Sequence, residues 1–126
     1  MFAISVKAEF PAYHQVNLPD GFIEPLHAHN WTVKAEVCSE NLDDKNMVMD
    51  FYILKQMLDK ITAPLKNQPI GQIDYFEKNG QSAEILAKYI FENLAPMLPE
   101  HVKLAQIQMT EAPGCDVKYC ILRLMQ

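Results

Sequence analysis

Apolar and polar residues alternate singly at the start of the chain. Ile4, Val6, Ala8, Phe10 and Ala12 hold the even positions, with Ser5, Lys7, Glu9, Pro11 and Tyr13 between them. A period of two predicts a half-buried strand. Asn17-Leu18-Pro19-Asp20-Gly21 then marks a loop. A second alternation sets Trp31, Val33, Ala35 and Val37 against Thr32, Lys34, Glu36 and Cys38, and the polar residues 39–46 turn the chain. The period then lengthens. Phe51, Leu54, Leu58, Ile61 and Leu65 stand three or four apart, which predicts a helix from about Asp50 to Thr62 with Asp50 as its N-cap. Residues 66–81, with Pro69, Gly71 and Gly80, read as a loop. Ile85, Leu86, Tyr89, Ile90 and Leu94 mark a second helix, capped by Ser82 and stopped before Pro96. Ala105, Ile107 and Met109 alternate with Gln106, Gln108 and Thr110, and Ala112-Pro113-Gly114 turns the chain into a last strand, Val117 to Leu124. The predicted order is ββααββ, an α+β fold with an antiparallel sheet and its helices on one face.

The same parity sorts the histidines. His27 and His29 share the odd parity of Trp31 and Val33, so they extend the apolar face of the second strand at its start. His14 shares the even parity of Phe10 and Ala12, so it extends the apolar face of the first strand at its end. If the two strands form an unbulged hairpin, the three rings meet at one rim of one face. Three neutral imidazoles with an open fourth position form a donor set suited to a catalytic zinc. The alternative is a His-x-His pair that only belongs to a strand. Glu111 shares the parity of Ile107 and Met109. It either reaches water as the strand ends or is a buried carboxylate that accepts from the N–H edge of a heterocycle. Glu24 precedes Pro25 and is therefore extended or in a loop. Beside a metal it can serve as a general base; away from one it is a solvated loop residue. His101 reads as a surface loop residue without a role.

Composition narrows the function classes. The chain has 126 residues, 49% apolar and 21% charged, which predicts one domain spanning 1–126. A net charge of −5 without a Lys/Arg run argues against nucleic acid or an anionic membrane as main partner. No apolar stretch reaches the roughly 18–20 residues of a membrane span, and no signal peptide is expected in residues 1–10. Cys38, Cys115 and Cys120 are odd in number and lack a Cys-x-x-Cys spacing. Buried, unpaired thiols and a cytoplasmic location are the expectation.

Five short motifs, in order, carry a family resemblance over nearly the whole chain. They are Phe10-Pro11-Ala12-Tyr13-His14, His27-Ala28-His29-Asn30, Met47-Val48-Met49-Asp50-Phe51, Ser82-Ala83-Glu84-Ile85-Leu86-Ala87 and Thr110-Glu111. Together they resemble the 6-pyruvoyltetrahydropterin synthase and 6-carboxytetrahydropterin synthase family. The resemblance implies the tunnelling fold, in which the sheets of three subunits join into an antiparallel barrel and two trimers stack as a hexamer, with sites between subunits. It implies zinc on His14, His27 and His29, a pterin ring held by Glu111, and Ser82 near the pterin.

Two departures bear on the reaction. The family's usual catalytic cysteine lies a few residues before its His-x-His, where this chain reads Gly21-Phe22-Ile23-Glu24-Pro25-Leu26. Cys38 lies nine residues past His29, roughly 30 Å along an extended strand. Glu24-Pro25-Leu26-His27-Ala28-His29 resembles instead a subgroup with glutamate in place of that cysteine. That subgroup cleaves the side chain of dihydroneopterin triphosphate to leave 6-hydroxymethyldihydropterin. The family's Asp-His pair between the helices is also replaced, with Lys66 and Asn67 standing in its place. The expected function is a zinc-dependent lyase acting on a dihydropterin side chain, with Glu24 as its base. The alternatives are a non-catalytic zinc- and pterin-binding homologue, or a 6-carboxytetrahydropterin synthase of queuosine synthesis.

Overall fold

The computed structural model describes residues 1–120. Four antiparallel strands form one sheet in the order β1-β2-β3-β4, with β1 Phe2–His14, β2 His27–Ser39, β3 Lys103–Ala112 and β4 Cys115–Cys120. Between β2 and β3 come α1 Phe51–Thr62, α2 Asp74–Asn79 and α3 Ala83–Leu94. The expected ββααββ plan holds. The last strand was expected to run to Leu124; residues 121–124 of it lie outside the described residues.

Parity becomes packing directly. Ala8, Phe10, Ala12 and His14 of β1 are buried, as are Trp31, Val33, Ala35 and Val37 of β2 and Ile107 and Met109 of β3. On this face lie Leu54, Leu58 and Ile61 of α1 and Leu86, Ala87, Ile90 and Leu94 of α3. Each fully buried Leu or Ile contributes on the order of 1.5–3 kcal/mol. Both predicted caps form. Asp50 Oδ1 accepts from Tyr52 N at 2.7 Å, and Ser82 Oγ accepts from Ile85 N at 3.2 Å.

The stretch 66–81 departs from the expected loop. It contains a 3-10 turn, Ile70–Gln72, and the six-residue α2. Ile70 and Phe76 anchor the stretch in the core. Its start lies along β1, where Asn67 N donates to Pro11 O at 2.7 Å and Tyr13 N donates to Gln68 O at 2.9 Å. The cysteines also differ from the expected uniform burial. Cys38 is buried, Cys120 half-buried and Cys115 exposed, and all three are free. The last two lie on β4, an edge of the sheet among the described residues. No helix among those residues is long and apolar enough to cross a membrane.

Candidate metal centre

The β1–β2 ladder is continuous through its whole length, pairing Phe10 with Trp31, Ala12 with His29 and His14 with His27. No bulge disturbs the parity, so the three imidazoles converge at the rim of the buried face. Ring centroids are 4.6 Å apart for His14–His27, 5.0 Å for His14–His29 and 4.7 Å for His27–His29. One ligand atom from each ring lies within 4.8 Å of the other two. Trp31 forms the floor. Its ring stands edge-on to His14 at 4.9 Å and to His29 at 5.4 Å, and its Nε1 donates to Ala12 O at 3.4 Å.

Backbone carbonyls decide which nitrogens face inward. His14 Nδ1 lies 2.8 Å from Gln81 O, and His27 Nδ1 lies 2.8 Å from Pro25 O. A carbonyl only accepts, so each Nδ1 carries the proton and each neutral ring keeps its lone pair on Nε2. His14 Nε2 is buried without a hydrogen-bond partner. Glu111 Oε1 lies 3.3 Å away, but an ionised carboxylate has no proton to offer that lone pair. An orphaned lone pair in a buried site is costly unless something accepts it, and a divalent cation would. The donor set of three imidazoles with carbonyl-fixed tautomers fits zinc or a similar borderline ion. Burial holds His29 below the ordinary histidine pKa; the Glu111 carboxylate pulls it back up, and His14 and His27 push it down. A neutral His29 is the form that ligates.

Both candidate carboxylates reach this cluster. Glu111 falls where the β3–β4 register slips, between the pairs Thr110–Asp116 and Ala112–Cys115. A local irregularity of this kind re-aims a side chain. Its Oε1 is also 3.8 Å from His29 Nε2. Glu24 lies in a small hairpin between β1 and β2, where its N donates to Val16 O at 3.1 Å. Its Oε1 accepts from Val16 N at 3.0 Å and lies 3.8 Å from His27 Nε2. His14, Glu24, His27, Ser82 and Glu111 share a cleft of about 230 Å³ with Val16, Ala83 and Glu84. Ser82 lines it while its Oγ caps α3.

Lys66 and Asn67 are exposed beside β1 and do not line this cleft. Burial, and then Glu36, push the Cys38 thiol pKa up, which disfavours the thiolate form. His101, expected to have no role, lies with Nε2 3.1 Å from Val48 O and so tethers two loops. The sequence reading missed Gln81 and the Pro25 carbonyl. Backbone acceptors leave no trace in a residue pattern, and Gln81 is 67 residues from His14.

Residues 3–120 match the family model described as 6-pyruvoyl tetrahydropterin synthase. The chain belongs to this family. Among curated relatives, it is 32% identical over 108 residues to the dihydroneopterin monophosphate aldolase of Pyrococcus furiosus, covering 86% of this chain and 88% of that one. It is 25% identical over 137 residues to the 6-carboxy-5,6,7,8-tetrahydropterin synthase of Rickettsia bellii, covering 94% and 99%. Among solved structures, the 6-pyruvoyl tetrahydropterin synthase of Caenorhabditis elegans superposes with a TM-score of 0.81 at 18% identity, covering 95% of each chain. A Plasmodium vivax 6-pyruvoyltetrahydropterin synthase with a catalytic glutamate replaced by alanine gives 0.68 at 20% identity, covering 96% and 100%. These two likenesses establish the tunnelling fold.

Proposed function

We propose that this protein is a zinc-dependent lyase that cleaves the side chain of 7,8-dihydroneopterin or one of its phosphate esters, leaving 6-hydroxymethyldihydropterin. The observation that carries this reading is a carboxylate, Glu24, standing 3.8 Å from the imidazole cluster in the segment where the family's cysteine is expected. His14, His27 and His29 would hold a zinc ion, which would supply Lewis acidity toward the side-chain hydroxyls. Glu111 accepts from the N–H edge of the pterin and orients it. Glu24 removes the proton from the 2′-hydroxyl. As that oxygen becomes a carbonyl, the C1′–C2′ bond breaks and its electron pair passes into the dihydropterin ring. Protonation at C1′ then gives the hydroxymethyl product, and C2′–C3′ leaves as glycolaldehyde or its phosphate. A carboxylate suits removal of a metal-acidified hydroxyl proton. It is a weak base toward the carbon-bound proton whose loss begins triphosphate elimination.

Two relatives support the assignment. The Pyrococcus furiosus protein is an aldolase of dihydroneopterin monophosphate, and the Plasmodium vivax enzyme uses a glutamate among its catalytic residues. A second reading, 6-carboxytetrahydropterin synthesis, has the Rickettsia bellii relative in its favour. Incubating zinc-loaded protein with dihydroneopterin, its monophosphate and its triphosphate, then chromatographing the products, separates the two. Hydroxymethyldihydropterin is expected. Glu24→Gln should lower turnover about 10²–10⁴-fold with one zinc per chain retained. A carboxy- or pyruvoyl-pterin product, or full activity in Glu24→Gln, would overturn the proposal.

A further inference from the structure

We infer that Gln81 is a positioning residue for the metal ligand His14, and that Gly71 is a glycine to leave room for it. The inference rests on the metal-site reading above. Gln81 grips the end of β1 twice. Its carbonyl oxygen accepts from His14 Nδ1 at 2.8 Å. Its side-chain Oε1 accepts from Gln15 N at 3.2 Å. The first bond fixes the ring's tautomer and rotation. The second fixes the peptide that leaves His14, where β1 ends.

Gln81 is itself held from two sides. It immediately precedes Ser82, whose hydroxyl caps α3, so its backbone is fixed to the start of a helix. Its carboxamide lies over Gly71. A Cβ built on Gly71 would overlap Gln81 Nε2, and would stand 2.8 Å from Cδ and 3.2 Å from Oε1. Gly71 lies in the 3-10 turn Ile70–Gln72, beside the fully buried Ile70. Its φ is not positive, unlike those of Gly21, Gly80 and Gly114. Glycine is therefore required there for space and not for conformation. The supports run from a core-anchored turn, through one carboxamide, to the backbone beside a metal ligand.

This arrangement makes a selective test possible. The nearest atoms an alanine at 71 would meet belong to the far end of the Gln81 side chain, which can give way by swinging the carboxamide aside. That same swing removes Oε1 from Gln15 N. Groups that orient a metal-bound histidine typically change affinity about 10–100-fold when lost. Zinc affinity should be measured by competition with a chromophoric chelator, alongside the melting temperature of chelator-treated protein. Gly71→Ala and Gln81→Met, which has similar length but no acceptor oxygen, keep the carbonyl bond to His14 Nδ1 and should each bind zinc several-fold more weakly, toward the low end of the roughly 10–100-fold range for loss of a group bonded to the ligand itself. Gln81→Glu keeps the acceptor and should stay within a few-fold of the parent. The double variant Gly71→Ala/Gln81→Met should be no worse than the weaker single, because both act through one contact. Affinities within twofold of the parent overturn the inference. So does a loss in Gln81→Glu equal to that in Gln81→Met, which would show that the acceptor is irrelevant. A parent protein that takes up no zinc overturns the metal-site reading itself.

Discussion

Two carbonyl oxygens, those of Gln81 and Pro25, determine the chemistry available to the imidazole cluster. By accepting hydrogen bonds from Nδ1 of His14 and His27, they leave the Nε2 lone pairs facing inward, toward Glu111 and Glu24. The same arrangement sets a pH dependence. In the folded chain His29 has its pKa lowered from 6.5, chiefly by burial, whereas in the unfolded chain it keeps the ordinary value. Between the two values the unfolded state binds more protons, so stability rises with pH through that window. The contribution is fully present above about 6.5 and is lost on acidification. Zinc-free protein should therefore melt at a lower temperature at pH 5.5 than at pH 7.5. The His29→Gln variant should show a shallower fall, since one of the groups that must charge is gone. An unchanged slope in that variant would assign the acid sensitivity elsewhere. Zinc loading should follow the same direction, because protons compete for the ligand nitrogens.

At the scale of elements, α3 joins the core to the cleft. Its inner face buries Leu86, Ala87, Ile90 and Leu94, and its first turn places Ser82 in the cleft lining. Ser82→Ala removes the cap on Ile85 N and should cost about 1 kcal/mol, seen as a melting temperature lower by a few degrees. Ser82→Thr keeps a capping hydroxyl and should recover most of that. If Ser82→Ala instead left stability unchanged and raised KM, its hydroxyl would be a ligand to substrate and not a cap. The strands and the two longer helices were legible because their periods run over many residues. Convergence of the histidines was legible because parity plus an unbulged hairpin leaves no freedom: His14 must face His27. What stayed hidden was local and short. The helix α2 has six residues, a single buried side chain, Phe76, and no side-chain cap, so no period could announce it. Cys115 is exposed at the first position of β4, beside the turn from β3, and the tie from Val16 to Glu24 follows from a hairpin fold that the Pro-Asp-Gly signal marks only as a loop.

For the whole molecule, the cleft around the cluster holds about 230 Å³, below the roughly 300–1,000 Å³ that ligand sites commonly enclose. The hairpin that carries Glu24 also exposes Leu18, Phe22, Ile23 and Leu26 at 38, 55, 58 and 48%. Exposed apolar side chains on one short hairpin beside the cleft call for cover. Among the described residues β1 and β4 are both edges of the sheet, and open edges invite pairing with another chain. The unhelical face, with Lys7 opposite Lys34 and Gln108 opposite Lys118, is polar enough to line a wet interior. These features agree with assembly of several copies around joined sheets. Sedimentation equilibrium should give a mass that is a multiple of 14.4 kDa, three- or sixfold in the arrangement the family resemblance implies. Replacing Leu18 and Phe22 by serine should weaken that assembly and lower turnover, while zinc content per chain stays at one. The reason for the split is geometric: all three imidazoles belong to two paired strands of one chain, whereas the walls that enclose the substrate would come from its neighbours. A fully active monomer would show that one chain's cleft suffices.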